Sequence, residues 1–393
     1  MQLFRQPRWR VKTGLTACCS RQTRSVHRCT ERLATYTSHG LQGANLATDT
    51  KSHRQVLGRQ LVAPYQHAKI TARRHVSTAP SLKEAQGDAQ CAVQAAAPAE
   101  PTIHDMFESK TSTWQYVVAD PSTSKAVIID PVLDYEPATQ VVSTSTADSL
   151  LSLVKEKGYK VDMILETHAH ADHLTAASYL QTRLAHEQGY TPLIGIGKRI
   201  DQLQRLFGKR YGIAADEYQG VFGKLFDDDE TFTIGTLTGV AMHLPGHTPD
   251  HMGYRIGDNV FCGDSIFHAD IGTARCDFPG GSAENLYKSG RRLLELPDHI
   301  KIWTGHDYPP ADRGKPVPWM TVKDHKRQNK HLKFGISEDE FVALRKERDA
   351  KLAAPKLLHQ SLQMNIRAGR LPKATESGSR MLHLPLNLDN VQW

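Results

Sequence analysis

Short apolar runs bounded by polar turn residues recur along the middle of this chain, and each predicts a strand. Val161-Asp162-Met163-Ile164-Leu165 has the length and apolar content of a buried strand. Trp114-Gln115-Tyr116-Val117-Val118 and Ala126-Val127-Ile128-Ile129 flank the turn-forming Asp120-Pro121-Ser122-Thr123-Ser124, which predicts a β-hairpin. Between hairpin and strand, Ser149 to Lys157 places Leu150, Leu151 and Val154 on one face with Gly158 after it, the pattern of a helix and its stop. Leu174 to His186 repeats that period through Ala177, Leu180 and Leu184. Later, Ser337-Glu338-Asp339-Glu340 is a capping box opening a helix through Phe341 and Leu344. Strands alternating with helices indicate the α/β class.

The polar residues that leave these runs carry the chemistry. Thr167-His168-Ala169-His170-Ala171-Asp172-His173 puts three imidazoles and a carboxylate directly after the strand ending at Leu165, at the sheet edge where open α/β folds keep their sites. One such loop can serve one or two metal ions. Three more strand ends supply similar groups: His247 in Gly246-His247-Thr248-Pro249-Asp250-His251, after the alternating Val240 to Leu244; Asp264 in Phe261-Cys262-Gly263-Asp264-Ser265; and His306 in Trp303-Thr304-Gly305-His306-Asp307-Tyr308, after Ile300-Lys301-Ile302. A lone histidine is ordinarily a surface or satisfied core residue, so the ordered set, not any one member, makes the argument.

That order resembles the metallo-β-lactamase superfamily, in which a His-x-His-x-Asp-His loop is followed by a Gly-His turn, a Gly-Asp turn and a last His. The resemblance runs from about Ile103 to Pro372. It implies a four-layer αββα sandwich with the metal site on one edge and a C-terminal helical extension. Two further segments, Gly272-Thr273-Ala274-Arg275-Cys276-Asp277-Phe278-Pro279-Gly280-Gly281 and Gln363-Met364-Asn365-Ile366-Arg367-Ala368-Gly369, resemble the persulfide dioxygenases and the related β-lactamase-hydrolase-like proteins.

From this branch the resemblance implies one Fe(II) held by His170, His247 and Asp264, with His168, Asp172, His173 and His306 around it or on a second metal. Two histidines and a carboxylate leave three positions open, as in oxygen-activating non-haem iron sites. The implied reaction oxidises glutathione persulfide with O2 to sulfite and glutathione. Asp172, His173 and Tyr308 are the expected catalytic groups. Arg275, Asp277 and Tyr308 are expected at the substrate, Arg275 through a bidentate pair to a substrate carboxylate and Asp277 bracing it. A structural Arg275–Asp277 salt bridge is the plainer reading of the same two residues. The alternative activity is a dizinc thioester hydrolase of glyoxalase II type, with His168, His170 and His247 on one zinc, Asp172, His173 and His306 on the other, and Asp264 bridging. A noncatalytic or nucleic-acid-binding member of the fold is disfavoured because no ligand position is missing. Asp264 is followed by a loop, 265–271, longer than in the short mitochondrial persulfide dioxygenases, and its His268 and Asp270 can narrow the pocket.

Composition adds an address and removes some classes. The net charge is +7, yet residues 1 to 83 hold fifteen Lys and Arg against Glu31 and Asp49 alone, so the remainder is net negative. An arm rich in Arg, Ser and Thr with no acid before Glu31 is expected to be a mitochondrial transit peptide, placing the enzyme in the matrix. A nucleic-acid-binding arm would have interleaved aromatics and a basic domain behind it. Residues 1–101 therefore read as leader and low-complexity linker, 102–372 as the catalytic domain, and 373–393 as a tail. No run of about 18 apolar residues predicts a membrane span. Cys262 and Cys276 are the cysteines of the folded part, too few for a disulfide framework. Cys276 is either a redox-sensitive thiol or a small packing residue. The expected partners are the persulfide and O2, with no nucleic acid or membrane; a homodimer is left open.

Overall fold

The computed structural model describes residues 100–388; the expected transit peptide, most of the linker and residues 389–393 lie outside the described residues. In chain order the strands are β1 (Thr102–Glu108), β2 (Thr113–Ala119), β3 (Lys125–Ile129), β4 (Val132–Glu136), β5 (Val141–Ser143), β6 (Lys160–Leu165), β7 (Leu174–Thr175), β8 (Leu193–Gly197) and β9 (Lys224–Phe226). There follow β10 (Glu230–Ile234), β11 (Leu237–His243), β12 (Met252–Ile256), β13 (Asn259–Phe261), β14 (Lys301–Trp303) and β15 (Trp319–Thr321). The helices are α1 (Ser145–Lys157), α2 (Ala177–Gln188), α3 (Ile200–Tyr211), α4 (Ala283–Leu294), α5 (Val322–Gln328), α6 (Glu338–Asp349) and α7 (Leu358–Asn365).

Two six-stranded sheets form, in the orders β1-β2-β3-β6-β8-β9 and β10-β11-β12-β13-β14-β15. Alternation along the strands builds four layers from them. In the first sheet Val117, Ala119, Ala126 and Ile128 face helices α1, α2, α3 and α7, while Tyr116, Val118, Val127 and Ile129 face the second sheet. In the second, Phe232, Ala241, Tyr254 and Phe261 close the space between sheets, and Met242, Val260, Leu286 and Ile302 meet on the outer side with α4, α5 and α6. This is the expected αββα sandwich with helices added at its C-terminal end.

Two helix starts differ from the sequence pattern, each for a tertiary reason. Helix α1 begins one turn earlier because the Asp134 carboxylate, on β4, accepts from Thr146 N at 2.9 Å and from the hydroxyls of Ser145 and Thr146. Helix α2 begins at Ala177 rather than Leu174, since Leu174 and Thr175 pair with β4 and the Thr175 hydroxyl accepts from Ala177 N at 3.0 Å. The β2–β3 hairpin and the Ser337–Glu340 capping box form as the sequence predicts.

Tyr254 connects this scaffold to the chemistry. Fully buried between the sheets, it donates its hydroxyl to the Glu166 carbonyl at 2.7 Å, just before the histidine loop. Tyr254→Phe leaves that carbonyl without its partner and is expected to cost about 1–3 kcal/mol in urea unfolding, with no change in sheet content by circular dichroism.

Candidate metal centre

All four sequence-predicted elements arrive at one sheet edge. β6 delivers the loop His168 to His173, β11 leads to His247, β13 to Asp264 and β14 to His306. The histidine loop is irregular, so its backbone groups are satisfied from outside. Thr167 donates its N–H and hydroxyl to the Asp130 carboxylate at 2.7 and 2.8 Å, Ala169 N donates to Asp250 Oδ2 at 2.9 Å, and Met252 N donates to Thr167 O at 2.7 Å. Gly263, at φ +48°, lets Asp264 approach: a Cβ there would lie 2.5 Å from Thr167 Oγ1.

Each of five buried histidines has one ring nitrogen occupied and the other turned inward. His168 Nδ1 contacts Thr167 Oγ1 at 3.0 Å, His173 Nδ1 the Leu174 carbonyl at 3.3 Å, His247 Nδ1 the Arg275 carbonyl at 2.8 Å, and His306 Nδ1 the Ser112 carbonyl at 3.1 Å. His170 is reversed: its Nε2 lies 3.1 Å from Asp130 and 3.3 Å from Glu166, leaving Nδ1 inward. His168 Nε2, His170 Nδ1, His173 Nε2, Asp172 Oδ2 and Asp264 Oδ1 are all buried without a hydrogen-bond partner. Lone pairs converging in this way fit a cation.

Besides the Asp130, Glu166 and His170 Nε2 cluster, the groups within ligand reach of one another form two sets, His168 with His247 and Asp264, and His170 with Asp172 and His173. The expected grouping of His170 with His247 and Asp264 is not among these; His168 stands with that pair instead. Asp130, far upstream in sequence, and Glu166 hold His170 Nε2 and leave its Nδ1 inward, which residue spacing in an irregular turn does not reveal. His306 Nε2 joins the two sets, 3.2 Å from Asp172 and 3.5 Å from Asp264.

Charge follows this geometry. Burial pulls His168 well below the usual imidazole range and the neighbouring His170 adds to it, so His168 is neutral and able to ligate. Burial opposes charge on His170 as well, but Asp130 and Glu166 outweigh it and raise that group. Burial lowers His173 to about 4. Burial also works against Asp172, yet His306 and His173 hold its carboxyl at about 2. Asp264 is raised, chiefly by burial.

A cleft of about 870 Å³ opens over this edge, with Asp172, His247, Asp264 and His306 at its floor. Tyr308 lines it half-exposed, its ring stacked on His306 at 5.8 Å. Arg275 reaches the cleft, but Asp277 binds its Nε and Nη2 and the Ala353 carbonyl takes its Nη1 at 2.8 Å. Asp277 thus braces Arg275, and the fork expected to grip a substrate carboxylate is already in use. Burial pushes the Cys276 thiol up to about 12, which suits a packing residue. His268 and Asp270 bind each other, and Asp270 also pairs with Arg313; Phe267 and Ile271 of that loop line the cleft instead.

The metallo-beta-lactamase superfamily model matches residues 109–306. The chain belongs to this superfamily. It is similar to a probable metallo-hydrolase of Burkholderia pseudomallei, at 41% identity over 73% of this chain and 99% of that one. Glyoxylase B2 of Dictyostelium discoideum is 43% identical over 71% of this chain and 95% of its own. Mitochondrial persulfide dioxygenase ETHE1 of Bos taurus is 28% identical over 68% and 88%. The crystal structure of ETHE1 from Myxococcus xanthus superposes with a TM-score of 0.54 at 27% identity, over 68% of this chain and all of that one. The domain thus has the metallo-beta-lactamase fold, with His and Asp groups that could hold a metal ion.

Sequence reasoning passed over Asp130, Glu166, Asp250 and His251, which orient the loops, although two stand inside a quoted motif. His251 Nε2 accepts from Asp264 N at 2.9 Å. It also passed over Arg345 and Asp349 on α6, a buried ion pair in which Asp349 accepts from Cys276 N at 2.8 Å and Arg345 donates to the Thr273 carbonyl at 3.3 Å. They pin the loop whose Arg275 carbonyl holds His247. Asp349→Ala strands a buried guanidinium and is expected to cost about 3–5 kcal/mol in urea unfolding, whereas Arg345→Met with Asp349→Leu removes the stranded charge and recovers only part of that loss, since Cys276 N and the Thr273 carbonyl stay without these partners.

Proposed function

We propose that this chain is a persulfide dioxygenase that oxidises glutathione persulfide with O2 and water to glutathione and sulfite. The grouping of His168 with His247 and Asp264, the last two of which line the cleft, carries the reading, because two imidazoles and one carboxylate make a three-ligand set that leaves positions open for substrate and O2. Fe(II) held there supplies the one-electron chemistry that O2 needs. The Gly272–Phe278 signature and the similarity to the persulfide dioxygenase of Bos taurus support it.

The remaining steps belong to the protein. Lys110, Arg348 and Lys356 line the cleft without a side-chain partner among the described residues, and they face a tripeptide that carries two carboxylates. Glu136 lines the same cleft and suits the amino group. Tyr308 donates its hydroxyl to the sulfur or oxygen above His306. Asp172, kept ionised and backed by His173, accepts a proton from the water that cleaves the sulfur–sulfur bond once both atoms of O2 are on the outer sulfur. Arg275 shapes the pocket through its carbonyl and its pair with Asp277. We place the enzyme in the mitochondrial matrix on the strength of residues 1–83; no helix among the described residues is long and apolar enough to cross a membrane.

A dizinc thioester hydrolase is the second reading, supported by the group His170, Asp172 and His173 and by the similarity to glyoxylase B2. Oxygen uptake by the Fe(II)-loaded chain with glutathione persulfide, matched by sulfite, is the expected result; zinc in the protein as isolated with no uptake supports the hydrolase instead. His168→Ala is expected to lose bound iron by metal analysis. Arg348→Ala with Lys356→Ala is expected to raise KM about tenfold or more with kcat little changed, since uniform binding is what these cations supply.

A further inference from the structure

The superfamily match ends at residue 306, yet the histidine loop is held from well beyond it. Asn365, the last residue of α7, is buried among the loop's backbone groups. Its Nδ2 donates to the His170 and His173 carbonyls, both at 2.8 Å, and its Oδ1 accepts from Thr175 N at 2.9 Å. One amide thus spans the loop from His170 to Thr175, with Asp172 and His173 between its contacts. The turn after α7 seats it. Ala368 and Gly369 are both at positive φ, +55° and +78°, and a Cβ on Gly369 would lie 2.7 Å from the Thr175 carbonyl. Gln204 on α3 donates to the Ile366 carbonyl at 2.9 Å, and Arg367 pairs with Glu217 at 3.1 Å, so the turn is fixed to the body of the domain.

A residue that only filled this space would be apolar, because a buried amide is tolerated only when its donors and acceptor are used. Asn365 spends both donors and its acceptor on the metal loop. We propose that Asn365 is a positioning residue of the metal centre, through which the C-terminal segment sets metal affinity by fixing the loop that carries His170, Asp172 and His173. The proposal rests on metal binding at this site and not on which reaction the metal serves.

The test is Co(II) titration of the metal-free full-length chain, followed by visible absorption, for wild type, Asn365→Ala, Asn365→Asp and Leu150→Ala. Leu150, fully buried on α1, makes no hydrogen bond to the loop, so its variant reports lost stability alone. Asn365→Ala and Asn365→Asp are expected to bind Co(II) about 10–100-fold more weakly and with altered bands, the scale of lost outer-shell support. Leu150→Ala, measured where it is folded, is expected to keep the wild-type constant and spectrum. Wild-type binding by folded Asn365→Ala overturns the proposal, as does equal weakening in Leu150→Ala. Should Asn365→Ala not fold, wild-type affinity in the isosteric Asn365→Asp overturns it too.

Discussion

Everything at this sheet edge depends on the need to compensate buried lone pairs. Five inward-facing nitrogen and oxygen atoms of His168, His170, His173, Asp172 and Asp264 are buried without a hydrogen bond, and among the described residues only the two carboxylate oxygens have a neighbouring charge partner, His306 Nε2. A buried polar atom left unsatisfied costs about 1–3 kcal/mol, so a cluster of this kind is a liability unless a cation sits among it. The same groups bound to an ion turn that cost into binding energy, which ties metal affinity to the folded state.

Holding those lone pairs on one point takes more chain than the ligands themselves. Asp130 and Glu166 fix His170, the Arg275 carbonyl fixes His247, Ser112 fixes His306, and His251 fixes the Asp264 backbone. Two of the supports come from the C-terminal helices: Asp349 and Arg345 grip the 273–276 backbone, and Asn365 grips the loop from His170 to Thr175. The helical extension therefore bears on the chemistry although it contributes no ligand. Its Arg348 and the following Lys356 also reach the cleft, so one segment serves both the metal's geometry and the charge seen by a substrate.

The strands were legible because apolar runs and turn residues alternate cleanly, and the ligand elements because each follows such a run. Helix starts were less so: Asp134 extends α1 from another strand, and the Leu174–Thr175 pairing delays α2. Within the site, the sequence brought His168, His170, Asp172, His173, His247, Asp264 and His306 together, but the resemblance set His170 with His247 and Asp264, where the structure sets His168. That choice lies in which ring nitrogen Asp130 captures, 40 residues away in sequence. The Arg275–Asp277 pair was legible as the plainer reading, but the further bond from Arg275 to Ala353 crosses 78 residues and was not. Asn365 stood in a quoted motif, but its contacts lie 190 to 195 residues upstream, beyond any local pattern.

The central claim is that the metal sits on His168, His247 and Asp264, with His170 turned toward Asp130 and Glu166. The most direct measurement is anomalous diffraction from crystals of the protein as isolated, collected at the iron and zinc absorption edges. One peak at the iron edge, bonded to His168 Nε2, His247 Nε2 and Asp264, is the predicted result. Two zinc peaks bridged by Asp264, or a single ion bonded to His170 in place of His168, would contradict it.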